Sequence, residues 1–161
     1  MTVTPYPLDP ERDLELVRDV DVAPELVWRA WTEPELLKQW FAPAPFAVTA
    51  CTLDLRPGGE FSFTMRTPEG DEFPNGGCFL DVVEGERLVF TECLSAGFRP
   101  RHAEIPMTAI LELTPNGSGG TTYRAVAIHL DAEGQKAHEE MGFHDGWGAA
   151  LDQLVALMSK A

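Results

Sequence analysis

The sequence predicts an α+β fold: about seven antiparallel strands, two short helices directly after the first strand, and one long C-terminal helix. Three observations predict it. Residues 13–20 alternate apolar and charged side chains, the mark of a half-buried strand. Six further runs rich in β-branched and aromatic residues lie between residues 46 and 130, most joined by short turn sequences. The last stretch, roughly residues 132–159, repeats apolar residues at helical spacing.

Each element follows from its residues. The opening "MTVTPYPLDPERD" has no charged region leading into an apolar core, so no secretory signal is expected. With three prolines in its first ten residues, the segment 1–12 reads as a flexible arm, and residues 13–161 as one domain. In "DLELVRDVDV", Leu14, Leu16 and Val20 share a strand face, with Arg18 the exception. Pro24 suits the first turn of a helix, and "PELVWRAW" supplies Leu26, Val27, Ala30 and Trp31 at helical spacing. Thr32 and Glu35 match a capping box that opens the second short helix, "EPELLKQWF", which "APAP" ends. "FAVTACTLDL" and "GEFSFTMRT" are strands separated by the turn "RPGG"; "EGDEFPNGG" is rich in turn residues. "CFLDVVE" and "ERLVFTECL" flank Gly85, and "MTAILELT" and "TTYRAVAIHL" are joined by "PNGSGG". Asp131 is placed to cap the final helix.

Composition narrows the function. Twelve basic residues against 26 acidic ones give a net charge of −14, which opposes binding to nucleic-acid backbones and to anionic membrane. No run approaches the length of a membrane span. Cys51, Cys78 and Cys93 include no CxxC pair and are odd in number, so reduced thiols in a cytoplasmic protein are expected.

Two polar residues stand out. On one continuous helix, with Leu151 at zero, His144 falls about 20° to one side and Glu140 about 20° to the other, inside the stripe of Trp147, Leu154, Val155 and Met158. They are four apart and so neighbours. Three arrangements are open: a wet helix end, a pair satisfied by itself or by a strand partner such as His129 or Tyr123, or the lining of a cavity. Gly142 and Gly146 project outward with Ala149 on the same count, so they either soften the helix or admit a second copy of the chain in a homodimer.

Four blocks resemble one family. "VWRAWTEPELLKQWFAP", "LDLRPGGEFSFTM", "GERLVFTE" and "MGFHDGWGAALDQLVALM" look like the signature of the Hsp90-ATPase-activator-like (AHSA1-type) branch of the START-like, or SRPBCC, superfamily, over about residues 13–159. The resemblance implies a helix-grip fold, in which a curved antiparallel sheet wraps the C-terminal helix around a cavity. It implies a ligand of lipid, polyketide or aromatic type, and no fixed metal or cofactor. It also favours the cavity arrangement for the polar pair. The co-chaperone activity in the family name belongs to a eukaryotic protein with an additional N-terminal domain, for which this chain has no room, so Hsp90 is not an expected partner.

No GxSxG, HExxH or phosphate-binding loop is present, and His102, His129, His138 and His144 lack zinc spacing, so no metal site is expected. Trp40, Phe41, Phe61, Phe63 and Met65 are candidate wall residues. Phe79, Phe90 and Trp147 join them, with Met141 and Leu151 from the helix. Arg99, Arg101 and His102 in "GFRPRHAEIP" are placed to edge the mouth. The leading expectation is binding of an apolar or amphipathic small molecule. The alternatives are a cofactor-free cyclase, hydrolase or dehydratase using His144 with Glu140, and an interaction protein related to stress or chaperones.

Overall fold

The computed structural model describes residues 7–160. Strand β1 (Asp13–Val20) leads into helices α1 (Pro24–Thr32) and α2 (Pro34–Leu37). Eight strands follow in pairs or hairpins: β2 (Ala47–Leu53), β3 (Phe61–Arg66), β4 (Glu72–Asn75), β5 (Cys78–Val83), β6 (Arg87–Thr91), β7 (Leu94–Ser95), β8 (Arg99–Pro100) and β9 (Met107–Pro115). β10 (Thr121–His129) then leads to helices α3 (Ala132–Glu140) and α4 (Phe143–Met158).

The strands form one antiparallel sheet ordered β1-β10-β9-β6-β5, a second ordered β2-β3-β4, and the small hairpin β7-β8. The expected α+β architecture is present, with more strands than the roughly seven predicted. β4 escaped notice because Pro74 and two glycines mask it as a turn; proline is tolerated there because β4 is an edge strand. The two large sheets meet at a seam. Phe79 N–H donates to Gly59 O at 2.9 Å, Gly58 N–H to Phe79 O at 2.8 Å, and Phe61 N–H to Gly77 O at 3.1 Å. These bonds carry the strand array around a bend, and α4 lies in its concavity.

The core forms where α1, α2 and α4 press on that concave face. Leu151 and Leu154 are fully buried and Met158 nearly so, among Leu88, Leu111, Phe61 and Phe79. Burying such a side chain is worth roughly 1.5–3 kcal/mol. Aromatic rings knit the layer: Trp31 meets Trp40 edge-on at 5.1 Å, and Phe61 stacks on Phe79 at 5.1 Å. Among the described residues the fully buried side-chain polar atoms are paired, with Trp40 Nε1 donating to Ala30 O at 2.9 Å and Thr121 Oγ1 to Val22 O at 2.7 Å. Arg18, the irregular member of β1, reaches α4, where it bonds the Asp152 carboxylate and the Gly148 carbonyl. On the outer face Arg124 bridges Glu15 and Glu112, tying β1, β10 and β9.

Two local readings need correction. Pro24 does occupy the first turn of α1. The capping box does not form, because Thr32 belongs to α1 and its hydroxyl donates back to Trp28 O at 2.7 Å, leaving Glu33 as the N-cap of α2. The described part of the predicted arm, residues 7–12, is fastened to the domain. Gln135 Nε2 donates to Pro10 O and Asp13 O, and Leu8 packs on Val89, Ile110 and Val126. Residues 1–6 of that arm lie outside the described residues. No helix among the described residues is long and apolar enough to cross a membrane.

Candidate functional site

The helix expected to run unbroken from residue 132 to 159 is two helices. Asp131 caps the first as expected, its carboxylate accepting from Gly134 N–H at 2.8 Å. α3 then stops at Met141, and Gly142 adopts a left-handed φ of 96° before α4 begins. A left-handed residue is cheap only for glycine, and it resets the helical phase. The angular count from Leu151 therefore does not carry back to Glu140, which is exposed. His144 lies in the first turn of α4, beside the β1 edge. It too is exposed, with Nε2 3.2 Å from Glu15 O. Neither residue borders the cavity. The predicted catalytic pair is thus set aside on geometry, and Met141 with it, at 66% exposed.

A cavity of about 270 Å³ does lie beneath α4. Six of the expected wall residues border it: Trp40, Phe41, Phe63, Met65, Phe90 and Trp147. Phe61, Phe79 and Leu151 do not, because they sit one layer deeper and are core. His102 is exposed and away from the cavity. Arg101 is used structurally, donating from Nη1 to Gly76 O and Glu92 O at 2.8 Å each, and Arg99 is exposed on β8. Gly146 borders the cavity instead of projecting outward, and Gly142 serves as the helix break. Of the two readings of these glycines, the helix break at Gly142 matches a softened helix, and Gly142 and Gly146 do not form one outward face.

The polar lining is small. Tyr123 is buried, and its hydroxyl oxygen accepts from Trp31 Nε1 at 3.1 Å; burial raises its pKa. Glu92 borders the cavity, and burial raises its carboxyl pKa against the pull of Arg101. The third polar group is the His138 imidazole, 7% exposed, which packs against Phe143 and Trp147. Its Nδ1 lies 2.9 Å from Nε2 of His129, whose Nδ1 lies 2.8 Å from the main-chain oxygen of Arg12. Desolvation, helped by the neighbouring His129, lowers the His138 pKa to about 4. His129 was legible in part, since Thr121, Tyr123, Ala125, Ala127 and His129 alternate inward along β10. His138 was not, because the unbroken helix put it on the wrong face.

One side of α4 closes the cavity. Gly146, Ala150 and Gln153 follow one another at i, i+4 and i+7. Gln153 Nε2 donates to Trp40 O and Ala42 O at 2.8 Å each, and its Oε1 accepts from Ala44 N–H at 2.8 Å. A single amide thus holds the 40–44 segment against the helix. Gln153→Leu is expected to cost about 1–3 kcal/mol in chemical denaturation, from carbonyls left without donors.

Comparison with known proteins places this arrangement. The family model described as "Activator of Hsp90 ATPase homolog 1-like protein" matches residues 21–159. A crystal structure of a protein from Nitrosomonas europaea superposes with a TM-score of 0.91 at 50% identity, covering 95% of this chain and 97% of that one. One from Chromobacterium violaceum gives 0.74 at 27% identity, over 91% and 96% of the two chains. An AHSA1 protein from Silicibacter pomeroyi gives 0.68 at 25%, over 91% and 97%. No curated protein matches the chain. A family match spanning most of the sequence, on the helix-grip architecture built above, shows that the chain belongs to the AHSA1-like family of the START-like superfamily.

Proposed function

We propose that the protein binds an apolar or amphipathic small molecule of lipid, polyketide or aromatic type in the cavity under α4. The supporting observation is the cavity itself: about 270 Å³, walled by tryptophan, phenylalanine and methionine, with a few polar groups set among them. That mixture is the usual make-up of ligand pockets, because apolar walls supply affinity and sparse polar groups fix orientation. At roughly 30 Å³ per water the space equals about nine waters, which suits a one- or two-ring compound or a short chain. Carriage is favoured over conversion. The one imidazole at the cavity has its pKa lowered to about 4, which makes it a poor general base at neutral pH. Cys51, Cys78 and Cys93 are all free thiols, which supports a reducing, cytoplasmic setting.

Native mass spectrometry of protein purified from its source, with thermal shifts against fatty acids, polyketide-type compounds and small aromatics, tests this reading. A ligand at 100 times its Kd adds about 2.7 kcal/mol and so several degrees to Tm. Protein that carries no small molecule and responds to no class of compound would remove the proposal.

A further inference from the structure

We propose that the cavity selects ligands carrying a hydroxyl or N–H donor on an apolar, ring-sized body, and that the unprotonated Nε2 of His138 receives that donor. The inference rests on the cavity being a ligand site, and adds the chemistry that the site reads.

The derivation starts from a main-chain oxygen. A carbonyl only accepts, so Nδ1 of His129, 2.8 Å from Arg12 O, carries a hydrogen. In the uncharged ring Nε2 is then bare and must accept. The atom 2.9 Å away is Nδ1 of His138, which therefore donates. With its hydrogen on Nδ1, His138 presents a lone pair at Nε2. No hydrogen bond to that nitrogen forms within the described residues, yet no enclosed side-chain nitrogen or oxygen among them lacks a partner. Nε2 is therefore not sealed off, and the open space that His138 borders is the cavity. A bare acceptor in an apolar pocket favours a ligand that brings a donor, since an ether or hydrocarbon leaves it unpaired.

The other groups around it fit this reading. Glu92 N–H donates to Met107 O at 3.2 Å, and Met107 stands opposite His129 in the β9–β10 register. Glu92, Met107 and His129 therefore follow one another across neighbouring segments of the sheet, and Glu92, Met107 and His138 all border the cavity. The uncharged state of His138 follows from its burial beside His129, Phe143 and Trp147. A neutral acceptor of this kind prefers neutral hydroxyl donors to carboxylates.

Long-range ¹H–¹⁵N spectra of the unmodified protein test the tautomers directly. Both His129 and His138 are expected to hold their hydrogen on Nδ1, whereas free histidine prefers Nε2. Titration with 1-naphthol, 1-methoxynaphthalene and naphthalene then tests the selectivity. 1-Naphthol is expected to bind about 3- to 10-fold more tightly than the other two and to move the His138 Nε2 resonance. In His138→Phe that preference disappears while naphthalene still binds; should the variant not fold, the spectra of the unmodified chain still decide. Hydrogen on Nε2 of His138, or equal affinity for the three compounds, overturns the inference and leaves the cavity reading standing. Failure of all three to bind overturns both.

Discussion

Gly59→Ala is expected to leave the protein largely unfolded, or to cost at least about 3 kcal/mol in urea denaturation. The residue sits in the turn before β3, where a Cβ would lie 1.9 Å from Asp54 O and 2.9 Å from Arg56 O. Both obstacles are main chain, so no rotamer change relieves them. Gly59 also accepts from Phe79 N–H and donates to Arg56 O, which fixes its position from both sides. Moving it breaks the seam that joins the β2-β3-β4 sheet to β5. Overpacked cores lose about 1–3 kcal/mol when side chains can yield; a backbone collision at a sheet junction exceeds that. Since domains carry about 5–15 kcal/mol in all, one methyl group here consumes much of the total. A Gly59→Ala protein with an unchanged midpoint would show that the turn can open, and the account of the seam would fail.

Gly146→Leu is expected to do the reverse, keeping the fold and abolishing binding. A Cβ at Gly146 meets nothing within 4 Å, and the residue borders the cavity. Replacing a helix-interior glycine gains up to about 1 kcal/mol of helix propensity. A leucine side chain there would take up a large share of the space of about 270 Å³ beneath α4. Binding of 1-naphthol, followed by its fluorescence, should fall at least tenfold, while the urea midpoint stays the same or rises. Gly146→Ala, too small to plug the cavity, separates the two effects and should retain binding. Undiminished fluorescence in the leucine variant would mean that the probe sits elsewhere.

The fold was legible because its signals are local. Alternation in residues 13–20, the proline of α1 and the aromatic strand runs each report on their own few residues. Part of the apolar wall came through for the same reason, since Trp40, Phe41, Phe63 and Met65 lie next to recognisable elements, whereas Trp31, Ile105 and Met107 did not come through. What failed was phase. Counting 100° per residue across Gly142 assumed one helix, and a single left-handed residue invalidated every angle upstream of it. The polar pair was therefore assigned to Glu140 and His144 when the confined imidazole is His138. The depth of Phe61, Phe79 and Leu151 was hidden as well, because alternation gives a face and cannot say whether that face meets solvent, ligand or another layer. Gln153 gave no warning, since its three partners are main-chain atoms more than 100 positions away.

The imidazole chain ends on the main-chain oxygen of Arg12. Every amino acid has that oxygen, so replacing the arginine side chain leaves the acceptor in place. Codon 12 can change, at the loss of the Arg12–Asp9 ion pair, without altering which nitrogen of the His138 ring stays bare. Only a shift in the path of the polypeptide before β1, such as an insertion or deletion there, would reach the pocket's chemistry. Relatives that differ in the length of that lead-in, rather than in its spelling, are where a change of ligand preference should be sought.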